Sequence, residues 1–337
     1  MWVEGTRGSV VETRHRVHAA IVDTEGRIVA TSGDPDLVTF WRSGAKPFQA
    51  MPLVRDGGVE RFGVTAAELA VACSSHSAEP RHLELVRSLL ARADLSERDL
   101  LCGPHPPLSE AVARDYAKRG VRLTAIHSNC SGNHAAMLVL ARHHNWPSEF
   151  YIRADHPVQQ RCLAEVAEWS SVSGEHIGTA VDGCGVVCFA LPLRAMALGY
   201  ATLGREANAR SDSRGEAAST IVQAMLRHPE IIAGEGRACT DLMQAHPGRV
   251  VTKAGAAGVH CALLVQEEVG IALKVEDGQG AAAALAMAAI LAELGLRPQP
   301  ERLVAQPITN TRGEVVGELR TRGGLEGVAA SHGRNHD

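Results

Sequence analysis

The sequence predicts an α+β fold, with an antiparallel sheet built from hairpins at the two chain ends and helices packed on it. Two observations carry this. β-rich alternation is concentrated near both termini, and the middle of the chain reads as a run of capped helices. Residues 8–31 alternate and turn at "DTEGR", which predicts an N-terminal hairpin. "TAAELAVAC" opens with a Thr-x-x-Glu capping box, and "SERDLL" and "SEAVARDYAKRG" begin with capping serines. Further helices fit 133–144, 157–170, 215–228 and 279–295. "RVVTKAG" reads as a strand leading into a C-terminal hairpin, "GVHCALLV" and "VGIALKVED" joined through "QEE". No internal repeat or low-complexity linker divides the chain. A single domain over 1–322 and a flexible tail over 323–337 are expected.

Composition narrows the function. The net charge of −4 and pI near 6.5 give no electrostatic basis for binding nucleic acid or an anionic membrane. Aromatic residues at 4% leave little to stack on bases. The N-terminal "MWVEGTRGSVVETRH" lacks the apolar stretch of a secretion signal, and eight scattered Cys show no paired C-x-x-C. Reduced thiols and a cytoplasmic location are expected. The uncharged run 278–292 is too short to cross a bilayer and predicts a buried Ala-rich helix.

Of 34 basic residues only four are Lys: Lys46, Lys118, Lys253 and Lys274. A desolvated Lys can lose its proton and act as a base, which Arg cannot. Lys118 in "DYAKRG" reads as solvated, and Lys274 as a sheet residue facing solvent. Lys46 and Lys253 sit among Gly, Ala and Ser, where a buried amine is expected.

Lys46 belongs to "FWRSGAKPFQA", with Ser43 three residues before it. On a helical turn these positions share a side, so the amine can approach the hydroxyl. Pro47 is tolerated in a first turn and sets the helix start near Ser43, although the residue before a proline avoids the α conformation. The bland alternative is a capping Ser beside a solvated Lys. Four more segments combine Gly or Ser with polar groups at element ends: "CSSHSAEP", "HSNCSGNHAAM", "AVDGCGV" and "TKAGAAG". Four such loops predict a shared cleft. "VTKAG" parallels the Lys-Thr-Gly strand that accompanies Ser-x-x-Lys in serine β-lactamases. Cys130 and Cys184 are metal-ligand candidates or plain buried thiols, with His127 and His134 flanking Cys130 and His76 in another of these loops. Gly178-Thr179 is a weak signal for a self-processing amidase.

Together, "RSGAKPFQA", "CSSHSAEP", "NCSGNHAAML", "DGCG" and "TKAGAAGV" resemble, in order and spacing, the rhizobial-type L-asparaginases of the asparaginase II family. The resemblance covers about residues 8–295. It implies a serine β-lactamase/glutaminase-like fold and hydrolysis of asparagine to aspartate and ammonia. By the same resemblance Ser43, Lys46, Ser75 and Lys253 are catalytic, and Arg42, His134 and Asp182 surround the substrate. Cys130 and Cys184 would bind zinc, with Asn133 standing where the family commonly has a Lys metal contact. An amide is a poor zinc ligand, so zinc is expected to be weak, differently completed or absent. The Thr-Gly-Gly-Thr signature of other bacterial asparaginases is missing. Ser43 is the expected attacking group, with Ser75 and Lys253 as relay or alternative. No organic cofactor, nucleic acid or membrane is expected, and a homodimer is the default assembly. Rival readings are a glutaminase, a β-lactamase-like hydrolase, the self-processing amidase and a non-catalytic amino-acid or metal-binding homologue.

Overall fold

The strands are β1 (Trp2–Arg7), β2 (Val10–Val22), β3 (Ile28–Ser32), β4 (Val38–Phe40), β5 (Gly178–Val181), β6 (Val187–Pro192), β7 (Val250–Ala254), β8 (Val259–Leu264), β9 (Val269–Val275), β10 (Ala305–Thr309) and β11 (Val315–Arg322). They come from a computed structural model that describes residues 1–327. Eight strands form one sheet in the order β10-β11-β1-β2-β9-β8-β7, with β3 also paired to β2. The terminal hairpins meet where β2 runs antiparallel to β9, Ala20 opposite Ala272. The chain is therefore α+β, with the sheet assembled from its two ends. The DTEGR turn closes through Asp23 N–H to Arg27 O, and Asp23 Oδ1 accepts from the N–H groups of Glu25 and Arg27.

Period-2 alternation divides the sheet's two faces. Ala20, Val22, Cys261 and Leu263 join the large core that holds most helices, among them Lys46–Arg55, Ala66–Ala72, Ser131–His144 and Leu193–Ala209. Ala19, Ile21, Ala262 and Leu264 face the second core, with the Gly280–Glu293 helix across it. That helix is the predicted Ala-rich element. Among the described residues no helix is long and apolar enough to cross a membrane. Lys253, two residues after Val251 of the large core, also turns toward the helices, on a strand at the sheet's edge.

Close approaches are made where side chains are smallest. A Cβ on Gly132 would sit 2.2 Å from Val71 O, so Gly alone lets the Ser131–His144 helix touch the end of Ala66–Ala72. That contact brings loop 73–77 against loop 128–130, and His76 N–H bonds to Asn129 O. Thr65 and Glu68 form the predicted capping box.

Several elements were not predicted. β1, the β10–β11 hairpin and the three-stranded sheet β4-β6-β5 lie outside the expected strands. "SERDLL" yields only a three-residue 3₁₀ turn at Glu97–Asp99. Lys46 takes the α conformation despite preceding Pro47. Lys274 is partly exposed, and its Nζ donates to Ala257 O at 2.8 Å. The start of the expected tail is docked: Glu326 pairs with Thr31, and Leu325 N–H donates to Glu293 Oε2. The rest of that tail, 328–337, lies outside the described residues.

Candidate active site

Where the Ala66–Ala72 helix ends, residues 74–77 run as a buried loop between two other elements. Lys46 enters from the first position of its helix and Lys253 from β7, and both are almost fully buried. Ser75 Oγ lies 2.7 Å from Lys253 Nζ and 3.2 Å from Lys46 Nζ. Lys46 Nζ also donates to Ser74 O at 2.6 Å and contacts Cys130 Sγ at 3.3 Å. Lys253 Nζ has one further partner, Ala254 O at 2.9 Å.

Burial, reinforced by the nearby Lys46, pushes the Lys253 amine down to about 7 from an ordinary 10.5. An ordinary lysine is neutral in roughly one molecule in three thousand at pH 7, whereas an amine near 7 is neutral in about half. The difference separates a base from a fixed cation. Lys253 has the property expected of a proton acceptor, and the hydroxyl within its reach is that of Ser75.

Ser43 has a different setting. It lies in the 3₁₀ turn Arg42–Ala45 and is half-buried, whereas Ser75 is 6% exposed. Its hydroxyl makes no hydrogen bond among the described residues, so the expected direct contact with Lys46 is not formed. Arg42, just before it, has φ of 52°, a left-handed conformation uncommon for a non-Gly residue. A Cβ on Gly255 would meet Trp41 O at 3.0 Å and Arg42 Cβ at 3.2 Å, so the end of β7 lies directly against this turn.

Arg42 pairs with Asp182 across 140 positions of chain. Opposite charges held side by side, both partly exposed, match the ammonium and carboxylate of a zwitterionic amino acid. His134 is different in kind. Burial first, then Lys46, lowers its pKa to about 3, so it is a neutral ring and no cation for a carboxylate. The Tyr151 hydroxyl accepts from Leu101 N–H at 3.0 Å and lies 2.6 Å from His134 Nδ1. The hydroxyl proton is thus assigned to Nδ1 and the ring proton to Nε2, a buried donor with no partner among the described residues. Tyr151 was not anticipated. Its only sequence signal is that the chain has just three Tyr.

The Cys184 thiol, then Lys46, lower the Cys130 pKa against the opposing effect of burial. Cys184 is pushed up by Cys130 and by burial. These two residues and Asn133 are the donors to weigh for zinc. Asn133 Nδ2 donates to Ala72 O at 3.3 Å, and its Oδ1 has no partner among the described residues. No group of three His, Cys, Asp or Glu side chains among the described residues converges to hold a metal. A closed zinc site needs four strong donors, and the Cys130 sulfur is already engaged by the Lys46 amine at 3.3 Å. The donor set does not fit zinc, and no chemical step is assigned to one. His127 caps its own turn by accepting from Thr124 N–H, and His76 bonds Ser131 Oγ at 2.9 Å. Thr179, the self-processing candidate, is an exposed residue of β5.

A lysine pair around a buried serine thus lies inside an α+β fold. The chain belongs to the L-asparaginase II family, which matches residues 3–321. No curated protein matches it. Solved structures of similar outline include a penicillin-binding protein homologue from Pyrococcus abyssi, at 12% identity and a TM-score of 0.39, covering 82% of this chain and 73% of that one. A β-lactamase from Mycobacterium bovis is 13% identical, with a TM-score of 0.31, over 80% of this chain and 90% of its own.

Proposed function

We propose that this enzyme hydrolyses the side-chain amide of L-asparagine, giving L-aspartate and ammonia through an acyl-enzyme. The observation that carries the reading is Ser75 Oγ held 2.7 Å from Lys253 Nζ, both residues buried. Arg42 and Asp182 receive the substrate's carboxylate and ammonium, opening their own pair to do so. His134 Nε2–H donates to the bound substrate without adding charge.

Ser43, the more exposed hydroxyl, attacks the amide carbon. Its proton passes to Ser75, with which the Ser43 hydroxyl must come into hydrogen-bond contact once substrate is bound, and the Ser75 proton goes to neutral Lys253. The C–N bond then breaks, and the proton returns along the same path to the departing ammonia. Water repeats the transfer and hydrolyses the ester, releasing aspartate and restoring both hydroxyls. A second reading makes Ser75 itself the nucleophile, favoured by its direct contact with the base.

Ammonia release from asparagine, glutamine and buffer alone, beside hydrolysis of a chromogenic β-lactam, tests the proposal. Asparagine turnover well above glutamine and no β-lactam opening is the expected result. Turnover of the lactam alone would assign the site to a different amide, and binding of asparagine without ammonia would make the chain a non-catalytic homologue.

A further inference from the structure

The residues after Ile232 pass the edge of β7 and start the Ala238–Ala245 helix, and Arg237 stands at that helix's N-cap. Cys239 Sγ accepts from Ala254 N–H at 3.1 Å, which anchors this segment to the strand that carries Lys253. Between this segment, the ends of β7 and β8 and the first turns of the Gly280–Glu293 helix is a cavity of about 300 Å³. Arg237, Arg302, His260 and Ala284 are among its lining residues, whereas Ser43, Lys46 and Ser75 are not.

The charges around it do not balance. Arg302 is paired with Asp241. Glu79, the other nearby acid, is engaged with Arg81 and with Glu235 N–H. His260 is held neutral by burial and bonds Thr252 Oγ1 at 2.8 Å. Arg237 has a single side-chain partner, the neutral Ser77 hydroxyl at 3.1 Å, and no ion-pair partner among the described residues. Ser77 gives its own proton to Ala233 O, so it can only accept from the guanidinium. Burial is the main cause lowering the Arg237 pKa, with Arg302 adding to it. A partly buried guanidinium with no ion-pair partner among the described residues, facing an open cavity, is a place where an anion would go.

We propose that this cavity binds a small carboxylate-bearing molecule, such as an amino acid or a dicarboxylate, with Arg237 as its anchor. A planar carboxylate can take the guanidinium N–H groups that Ser77 leaves free. The site is separate from the two serines, and it stands whether or not asparagine is the substrate. Its position gives it influence, because the Arg237 charge is one of those that keep the Lys253 amine low.

The test is calorimetric titration of the full chain with acetate, succinate and L-aspartate, against sodium chloride at equal ionic strength. Carboxylates are expected to bind the wild type and the Ser75→Ala variant alike. Arg237→Met should weaken that binding about tenfold or more through loss of a charge-assisted pair. Ala284→Leu, which fills the cavity and leaves the guanidinium in place, should do the same, and it decides the matter if Arg237→Met fails to fold. Absence of carboxylate binding to the wild type through the millimolar range, or undiminished binding in both variants, would overturn the proposal.

Discussion

Ser43 and Ser75 differ in what surrounds their hydroxyls, and each has what the other lacks. Ser75 is 6% exposed and holds two lysine amines within hydrogen-bond distance. Ser43 has no such bond, but it is half-buried, follows a left-handed Arg42 and adjoins the Arg42–Asp182 pair. One residue is well placed for moving protons and the other for meeting a substrate. The comparison teaches that burial activates a base and also hides it. On the proposed reading, the work is divided between the two hydroxyls.

The largest expected effect breaks that division at the attacking end. Ser43→Ala should lower kcat by about ten-thousand-fold or more, as loss of a covalent nucleophile does. Retained activity, measured as ammonia release, would move the attack to Ser75. Lys253→Arg comes next. A guanidinium keeps its positive charge but cannot become a neutral base, so a fall of about 10²–10⁴-fold is expected in steady-state turnover. Ser75→Ala should fall in the same range and still form a slow ester on Ser43.

The pH profile sharpens the comparison without a mutation. Lys253 must be neutral to accept a proton and is protonated below its lowered pKa. The rate should therefore rise with pH through about 7 and be lost on the acid side. A profile flat from pH 6 to 8, a range of about one unit either side of that midpoint, would remove Lys253 as the base.

Arg42→Lys acts on the substrate end alone. Replacing the planar fork by a point charge should raise KM about tenfold with little change in kcat, as loss of uniform binding does. The smallest effect concerns metal. A chelator should leave turnover unchanged, and purified protein should carry substoichiometric zinc by elemental analysis. Full occupancy with loss of activity on removal would contradict the donor-set argument.

The site was partly legible in the sequence because scarcity concentrates meaning. With only four Lys in the chain, the two flanked by small residues were marked as buried, and both are. The helix start at Lys46, the Thr65–Glu68 box and the hairpins of β2–β3 and β8–β9 follow from local rules acting over a few residues. What escaped is non-local or short. β4 has three residues and β5 four, too few for alternation to register. Ser75 and Lys253 are 178 positions apart and Arg42 and Asp182 140 apart, and no periodicity records such meetings. The contrast between the two serines was invisible for the same reason. Ser43 carried the recognisable Ser-x-x-Lys spacing, and the three-dimensional contact went to Ser75.

Acid quench during asparagine turnover, followed by peptide mass mapping, tests the division of labour most directly. An aspartyl ester on the peptide containing Ser43, accumulating in the Ser75→Ala enzyme as well, is the predicted result. The ester on Ser75, or turnover with no ester on either serine, would contradict it.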